Sequence, residues 1–320
     1  MADRSLTQWG EVFEQLYAEK DQARSPVDLW TAAYAHFSHM GEAIRKVHFE
    51  ELLGAATHAF CWLCSFVLGC RRRERSVFWL QEGLAGVVAM KYPLCCGHCG
   101  HQPCNCNPLD MDAHHDKAAD YRARLEDRLR LEGAWQAWSI EQWKATFAKV
   151  YGQQIHQMSL ETVGFHFLEE AGEAAKAIRS LQQLSEVSDN DLACEPAKLF
   201  GELSTAEGIV ELHEKHKTVD TQHRMGESQP EVIMARLVQA KMEMVVEVAD
   251  TFSWFCSVLN KVYAIAKNCM SDQNGGSCNI AHRGFEERLA AEYLRDGHPI
   301  CKACGTNPCA CVFRMAAPQA

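Results

Sequence analysis

The feature that most constrains this chain is that it repeats itself. Ser5, Gln8, Trp9, Phe13 and Tyr17 recur as Ser139, Gln142, Trp143, Phe147 and Tyr151, each at an offset of 134 (139 minus 5). With gaps the echo continues: Met40-Gly41-Glu42-Ala43 matches Ala171-Gly172-Glu173-Ala174, and Trp62, Cys64 and Ser65 match Trp254, Cys256 and Ser257. Each half closes on C-x2-C-G-x2-P-C-x-C, as Cys96, Cys99, Cys104 and Cys106 in the first half and Cys301, Cys304, Cys309 and Cys311 in the second. A recurring unit of this kind is one supersecondary module used twice, its open apolar face covered by the other copy. Strong helix formers with apolar residues at helical spacing predict an all-α fold.

Four cysteines at this spacing, with Gly and Pro turning the chain between the pairs, suit a closed tetrahedral Zn²⁺ site. Two such sites would bind two structural zinc ions; the alternative is a pair of redox or disulfide clusters, and Cys95 is a spare thiol beside the first. Sixteen Cys in a chain whose first residues lack the plan of a secretory signal point to a reducing, cytoplasmic setting. A net charge of −10 argues against broad attachment to nucleic acid or anionic membrane. Gly54 to Cys70 is apolar, but it is short and interrupted by His58, so it is expected to be a buried helix rather than a membrane span.

The two halves differ in their carboxylates. Glu169, Glu170 and Glu173 fall within about 100° of arc on one expected helix. Glu247 and Asp250 share a face of another. If these faces meet, five carboxylates crowd together, and their ionised forms need hard cations such as Mg²⁺ between them. The first half keeps only Glu42 of the five; Ser38, His39, Ala55 and His58 stand at the other positions. That half reads as a pseudo-catalytic copy, with His58 open to reading either as a ligand or as a core residue.

The pattern E-E-x-x-E followed by E-x-x-D resembles the all-α nucleoside triphosphate pyrophosphohydrolases, the MazG-like superfamily, whose sequences often carry an Asn such as Asn260 ten residues after the Asp. The longer separation, 77 residues from Glu173 to Asp250 against 16 from Glu42 to His58, departs from the family and implies an insertion at about 180–240. The resemblance implies two MazG-like repeats packed as a pseudo-dimeric four-helix-type bundle, supplying in one chain what relatives obtain by dimerising and leaving homo-oligomers open. Residues 1–106 would be the degenerate repeat with its four-cysteine zinc knuckle, 107–134 a connecting helix, and 135–320 the catalytic repeat with a second such knuckle.

The resemblance also implies two or three Mg²⁺ held by Glu169, Glu170, Glu173, Glu247 and Asp250. Asn260, Lys261 and Lys176 would contact a nucleoside triphosphate, which is hydrolysed at the α-phosphorus to a monophosphate and pyrophosphate. Glu169 or Glu170 would accept the water proton. Trp9, Trp62, Trp143 and Trp254 are candidates for the base pocket or for the core. Within the insertion, Ser185 to Asp191 reads as turn-rich, and Lys215, His216, Lys217, His223 and Arg224 as a lid over phosphate or a surface excursion. The alternative function is a zinc-stapled helical nucleotide sensor or protein-interaction scaffold without turnover. A carboxylate di-iron oxidase does not fit, because none of the fifteen His has a Glu three residues before it.

Overall fold

The first helix of each half starts the same way for the same reason. Ser5 accepts from the Gln8 amide at 3.1 Å while the Gln8 side chain accepts from the Ser5 amide at 2.9 Å. Ser139 and Gln142 repeat this capping box at 3.3 and 2.8 Å. These boxes open α1 (Leu6–Gln22) and α6 (Ile140–Gln157). The two caps meet, for Ser5 and Ser139 form an isolated antiparallel bridge, extended by Leu6 N–H donating to Trp138 O at 3.1 Å.

The computed structural model describes residues 3–73, 78–92, 95–96, 101–106, 135–191, 230–271 and 284–311. Among these the chain is mostly helical, in agreement with an all-α fold. A third capping box, Ser25 with Asp28, and a Pro in the first turn start α2 (Pro26–Lys46), which ends at Val47 in the left-handed region (φ 58°). Then come α3 (Phe49–Arg73), the short α4 (Phe78–Gln81) and α5 (Gly83–Lys91). A 3₁₀ turn at Trp135–Ala137 precedes α6. The two longest described helices follow, α7 (Leu160–Asp191) and α8 (Pro230–Ser271), then α9 (Phe285–Tyr293). The only described sheet is a two-stranded hairpin, β1 (Leu294–Arg295) against β2 (His298–Pro299).

Helix α2 packs along α3, α7 packs along α8, and α2 packs across α7. Helix α1 lies on α3 and α6 on α8. The closing helices reach across: α5 lies on α8, and α9 on α3. Apolar side chains at helical spacing, such as Leu29, Ala33, Phe37, Met40 and Ile44 on α2, face the shared core. The aromatic contacts come in matching pairs. Phe13 meets Tyr293 edge-on at 5.1 Å and 86°, and Phe147 meets Tyr92 at 5.4 Å and 86°. Phe13 meets Phe60 at 6.0 Å, and Phe147 meets Phe252 at 6.2 Å.

Helix α3 is long and apolar enough to cross a membrane, yet 78% of its most apolar window is buried inside the protein, as expected for a core helix. One expectation is corrected. Ser185 to Asp191 is not a turn: α7 continues through it, and Ser185 bonds back to Leu181 O at 2.9 Å, which satisfies its hydroxyl without breaking the helix. The connecting stretch 107–134 and insertion residues 192–229, including Lys215 to Arg224, lie outside the described residues.

Because Phe13 and Phe147 each sit at the centre of three aromatic neighbours and are fully or nearly fully buried, Phe13→Ala and Phe147→Ala should destabilise the fold by a comparable amount, about 3–5 kcal/mol each. Urea denaturation followed by helical circular dichroism measures this. A large loss for one and none for the other would show that the two halves carry the core unequally.

Candidate functional site

The cysteine hairpins are built first by local backbone bonds. The amide of Cys96 donates to His101 O, and that of Cys301 to Thr306 O, both at 3.0 Å. These turns bring Cys301, Cys304, Cys309 and Cys311 together, their sulfurs all within 4.8 Å of one another. Cys96, Cys104 and Cys106 meet the same limit, and Cys99 lies outside the described residues. Sulfur separations are 3.7 Å for Cys96–Cys106, 3.8 Å for Cys301–Cys311 and 4.0 Å for Cys304–Cys309. A tetrahedron with Zn–S of about 2.3 Å has edges of about 3.8 Å, whereas a disulfide needs about 2.05 Å. The donor sets therefore fit zinc, and the cysteines are not disulfide-bonded.

Polar donors surround the sulfurs. The Cys106 amide donates to Cys104 Sγ at 3.4 Å and the Ala310 amide to Cys304 Sγ at 3.3 Å. From the helices, Gln154 Nε2 donates to Cys104 Sγ at 3.6 Å and Lys20 Nζ to Cys309 Sγ at 3.1 Å. Bonds from the Thr306 hydroxyl and amide pull the exposed Cys304 thiol down to about 5, while hydrogen bonding to Cys309 and Cys304 pushes Cys311 up to about 12. A bound cation would draw all four into the thiolate form. The hairpins also fasten the helices across the molecule: Cys104 N–H donates to Val150 O at 2.8 Å, and Cys309 N–H to Leu16 O at 3.0 Å.

The acidic residues come from the middle of α7 and α8. Glu170, Glu173 and Glu247 have carboxylate oxygens within 4.8 Å of one another. Asp250 adjoins them and is buried, bonded by Lys91 Nζ and the Tyr92 hydroxyl, both from the end of α5 and the residue after it. Burial, then the charge of Asp250, raises Glu170 to about 8, and the same two causes raise Glu247 to about 7; Lys91 works against both. Burial and the neighbouring Asp250 also push Tyr92 well up, so it remains a hydroxyl donor. Glu247 Oε2 is buried and accepts no hydrogen bond from any described residue. An uncompensated oxygen among crowded carboxylates is the environment a hard divalent cation relieves.

The remaining expected site residues are placed differently. Glu169 is exposed, outside the group of three, and pairs with His166 Nδ1 at 3.2 Å; that imidazole stacks on Trp254 at 4.7 Å. Asn260 Nδ2 donates to Lys144 O at 2.9 Å, and Lys261 Nζ reaches Ile155 O and His156 O at 3.3 and 3.1 Å, so both fasten α8 to α6. Lys176 lies on α7 and is exposed. Trp9 and Trp143 are core residues, whereas Trp62 and Trp254 are half-buried. Glu42 is exposed and paired with Lys46 at 2.6 Å.

Lys91 and Tyr92 belong to the site although neither falls within the acidic motifs. The signal that could have found them is the echo of Ala89-x-x-Tyr92 in Ala290-x-x-Tyr293, each shortly before its cysteine hairpin. Tyr293 makes the corresponding contact, its hydroxyl 3.1 Å from His58 Nδ1, where Tyr92 meets Asp250. Compared with family models, curated proteins and solved structures, the chain matches none.

Two outcomes are expected of this site. Protein purified without chelator should contain about two zinc per chain, and Cys304→Ser should lower that by about one and reduce the thermal midpoint, because the hairpin on Leu16 loses its staple. Elemental analysis with thermal denaturation checks both. Second, Glu170 and Glu247 sit above their ordinary value of 4.5, so the folded state holds protons that the unfolded chain has lost. Their burial therefore costs stability progressively as pH rises from about 4.5 through about 8. A bound cation removes that cost, so the gain in thermal midpoint on adding Mg²⁺ should grow with pH from about 5 to 8. Taking the difference with and without Mg²⁺ cancels Glu286, which burial also raises to about 7 but which sits against Arg4 outside the cluster.

Proposed function

We propose that this chain is a Mg²⁺-dependent nucleoside triphosphate pyrophosphohydrolase built from two MazG-like repeats, the second catalytic and the first degenerate. The observation that carries the reading is the convergence of Glu170, Glu173 and Glu247 on one point, with the buried Asp250 beside them and the Glu247 oxygen unpartnered among the described residues. The E-E-x-x-E and E-x-x-D motifs, distant in sequence, supply that convergence. The tandem reading is supported by the matched contacts: Phe13–Tyr293 with Phe147–Tyr92, Lys20–Cys309 with Gln154–Cys104, and the bridge between Ser5 and Ser139.

In this reading Glu170, Glu173, Glu247 and Asp250 hold Mg²⁺, and Glu169 stands at the rim. Bound Mg²⁺ would neutralise phosphate charge and acidify a coordinated water. Glu169 or Glu170, whichever is not fully engaged by the metal, would accept the proton of the attacking water. Tyr92 and Lys91 hold the buried Asp250 carboxylate in place. Lys91 balances one carboxylate until the cation arrives. The site thereby draws on both halves of the chain, although only one half supplies carboxylates.

The test is pyrophosphate release from a panel of ribo- and deoxyribonucleoside triphosphates with Mg²⁺. Glu173→Gln and Glu247→Gln should lower turnover on the order of 100-fold or more with the fold intact, since each removes a charge from the metal site. Tyr92→Phe, which removes only the hydroxyl on Asp250, should weaken Mg²⁺ affinity roughly 10-fold. Glu42→Gln should leave release nearly unchanged. Absence of release across the panel would favour the non-catalytic scaffold. Loss of activity in Glu42→Gln with the fold intact would place carboxylates of both halves in the site.

A further inference from the structure

Helices α7 and α8 meet in antiparallel register: His166 stacks on Trp254, and further along α7 Glu170 and Glu173 meet Glu247, earlier on α8. Positions 236, 239, 243, 247 and 250 recur at intervals of three or four, so Arg236, Gln239 and Glu243 continue the face of α8 that carries Glu247 and Asp250. Beyond the acids this seam opens into a groove of about 420 Å³, lined by Ser180 and Gln183 from α7 and by Arg236, Gln239 and Glu243 from α8. Its floor is apolar, made by Leu184, which packs on the core, and the buried Ala240. The volume falls in the range of roughly 300–1,000 Å³ typical of small-molecule sites.

At a rise of 1.5 Å per residue, Glu243 stands about 6 Å and Gln239 about 12 Å along α8 from Glu247. A nucleotide whose phosphates rest at the acids therefore has its base and sugar within reach of the groove. Glu243 is near enough to Glu247 for its charge to help raise that carboxyl, and the same charge at the near lip repels further phosphate from the groove. What remains suits an uncharged polar group. Gln239 Nε2 donates to Glu243 Oε1 at 2.9 Å, which keeps the Gln239 carbonyl oxygen as an acceptor. Gln183 adds a second amide, and Arg236, with no ion pair or hydrogen bond to any described residue, adds donors. Mixed donors and acceptors of this kind match base edges and sugar hydroxyls. The aromatic pair at the other end of the seam is closed on itself: its two rings face each other at 4.7 Å, and His166 Nδ1 is taken up by Glu169.

We infer that this groove is the nucleoside subsite of the acidic centre, holding base and sugar by hydrogen bonds to Gln183, Gln239 and Arg236 while the phosphates lie at Glu170, Glu173 and Glu247. The assignment rests on reading the acidic cluster as a phosphate site, and it adds a specificity: nucleoside triphosphates are bound in preference to inorganic polyphosphate. Because the groove offers hydrogen-bonding groups over a small apolar floor, bases are told apart by their donors and acceptors, since a mismatched base leaves polar groups unpaired.

The experiment titrates the full-length, zinc-loaded protein, in the presence of Mg²⁺, with the α,β-methylene analogues of ATP, CTP, GTP and UTP and separately with tripolyphosphate, and calorimetry reads the binding. At least one analogue should bind about tenfold or more tightly than tripolyphosphate. Gln183→Ala and Arg236→Ala should each weaken that analogue about tenfold, leave tripolyphosphate within about twofold, and leave the helical circular dichroism unchanged. Gln183 is exposed on α7 and alanine is a strong helix former, so this variant keeps the fold. Equal binding of tripolyphosphate and all four analogues would overturn the assignment. So would Arg236→Ala weakening tripolyphosphate as much as the nucleotide, which would put phosphate in the groove, or an advantage of the nucleotide that is lost in His166→Ala and kept in Gln183→Ala, which would put the base at the aromatic end. Pyrophosphate release from the hydrolysable triphosphates, measured on the same protein, separates this from the hydrolase reading: selective binding of an analogue without release sinks the hydrolase and keeps the subsite, release with no selectivity over tripolyphosphate does the reverse, and binding of neither ligand sinks both.

Discussion

Four carboxylates converge where α7 and α8 run side by side, and their mutual repulsion is the constraint around which the surrounding structure is arranged. Glu170, Glu173 and Glu247 meet at one point with Asp250 buried beside them. Crowded, partly buried like charges are tolerated by staying protonated, by pairing with a cation, or by binding one. The protein uses the first two visibly: Glu170 and Glu247 are pushed to about 8 and 7, and Lys91 pairs with Asp250. The orphaned Glu247 oxygen leaves a place for the third.

Holding such a cluster closed requires an apolar frame stiff enough to resist the repulsion. The aromatic rings of the core supply it, with Phe167, Phe252 and Phe255 fully buried on the same two helices as the acids. The exchange of closing segments adds to this. Helix α5 from the first half lies on α8 and delivers Lys91 and Tyr92 to the acids, while α9 from the second half lies on α3 and delivers Tyr293 to His58. The cysteine hairpins end both arms and pin them to α6 and α1 through Val150 and Leu16. In this arrangement zinc would act at a distance from any chemistry, by fixing the arms that carry Lys91, Tyr92 and Tyr293.

The two matched tyrosine contacts are surrounded by different charged side chains. Where the second half places Asp250, the first places His58, and where the first half ends its closing helix on Lys91, the second carries Glu292. A tyrosine hydroxyl meets the helix at both points, so the difference lies in the charge of the side chains around it.

The sequence by itself determined the helices, their starts and the thiol clusters. Capping at Ser5 and Ser139, the apolar spacing of α2 and the turns between cysteine pairs are local, and local chemistry is readable from neighbours in the chain. It also determined that Glu169, Glu170 and Glu173 share one helix and Glu247 and Asp250 another. It could not say which of them meet: Glu169 turns outward to His166, and Asn260 and Lys261 bind the α6 backbone instead of facing the acids. Helical spacing fixes a face to within a turn, but the rotation of that face toward a partner is set by how distant helices interlock. Lys91 and Tyr92 were decided only by the tertiary structure, because α5 crosses to the other half of the chain and the contact of Lys91 with Asp250 spans 159 residues. No local pattern encodes which of two equivalent faces an arm will cover; that choice is made by burial and charge balance once the two halves meet.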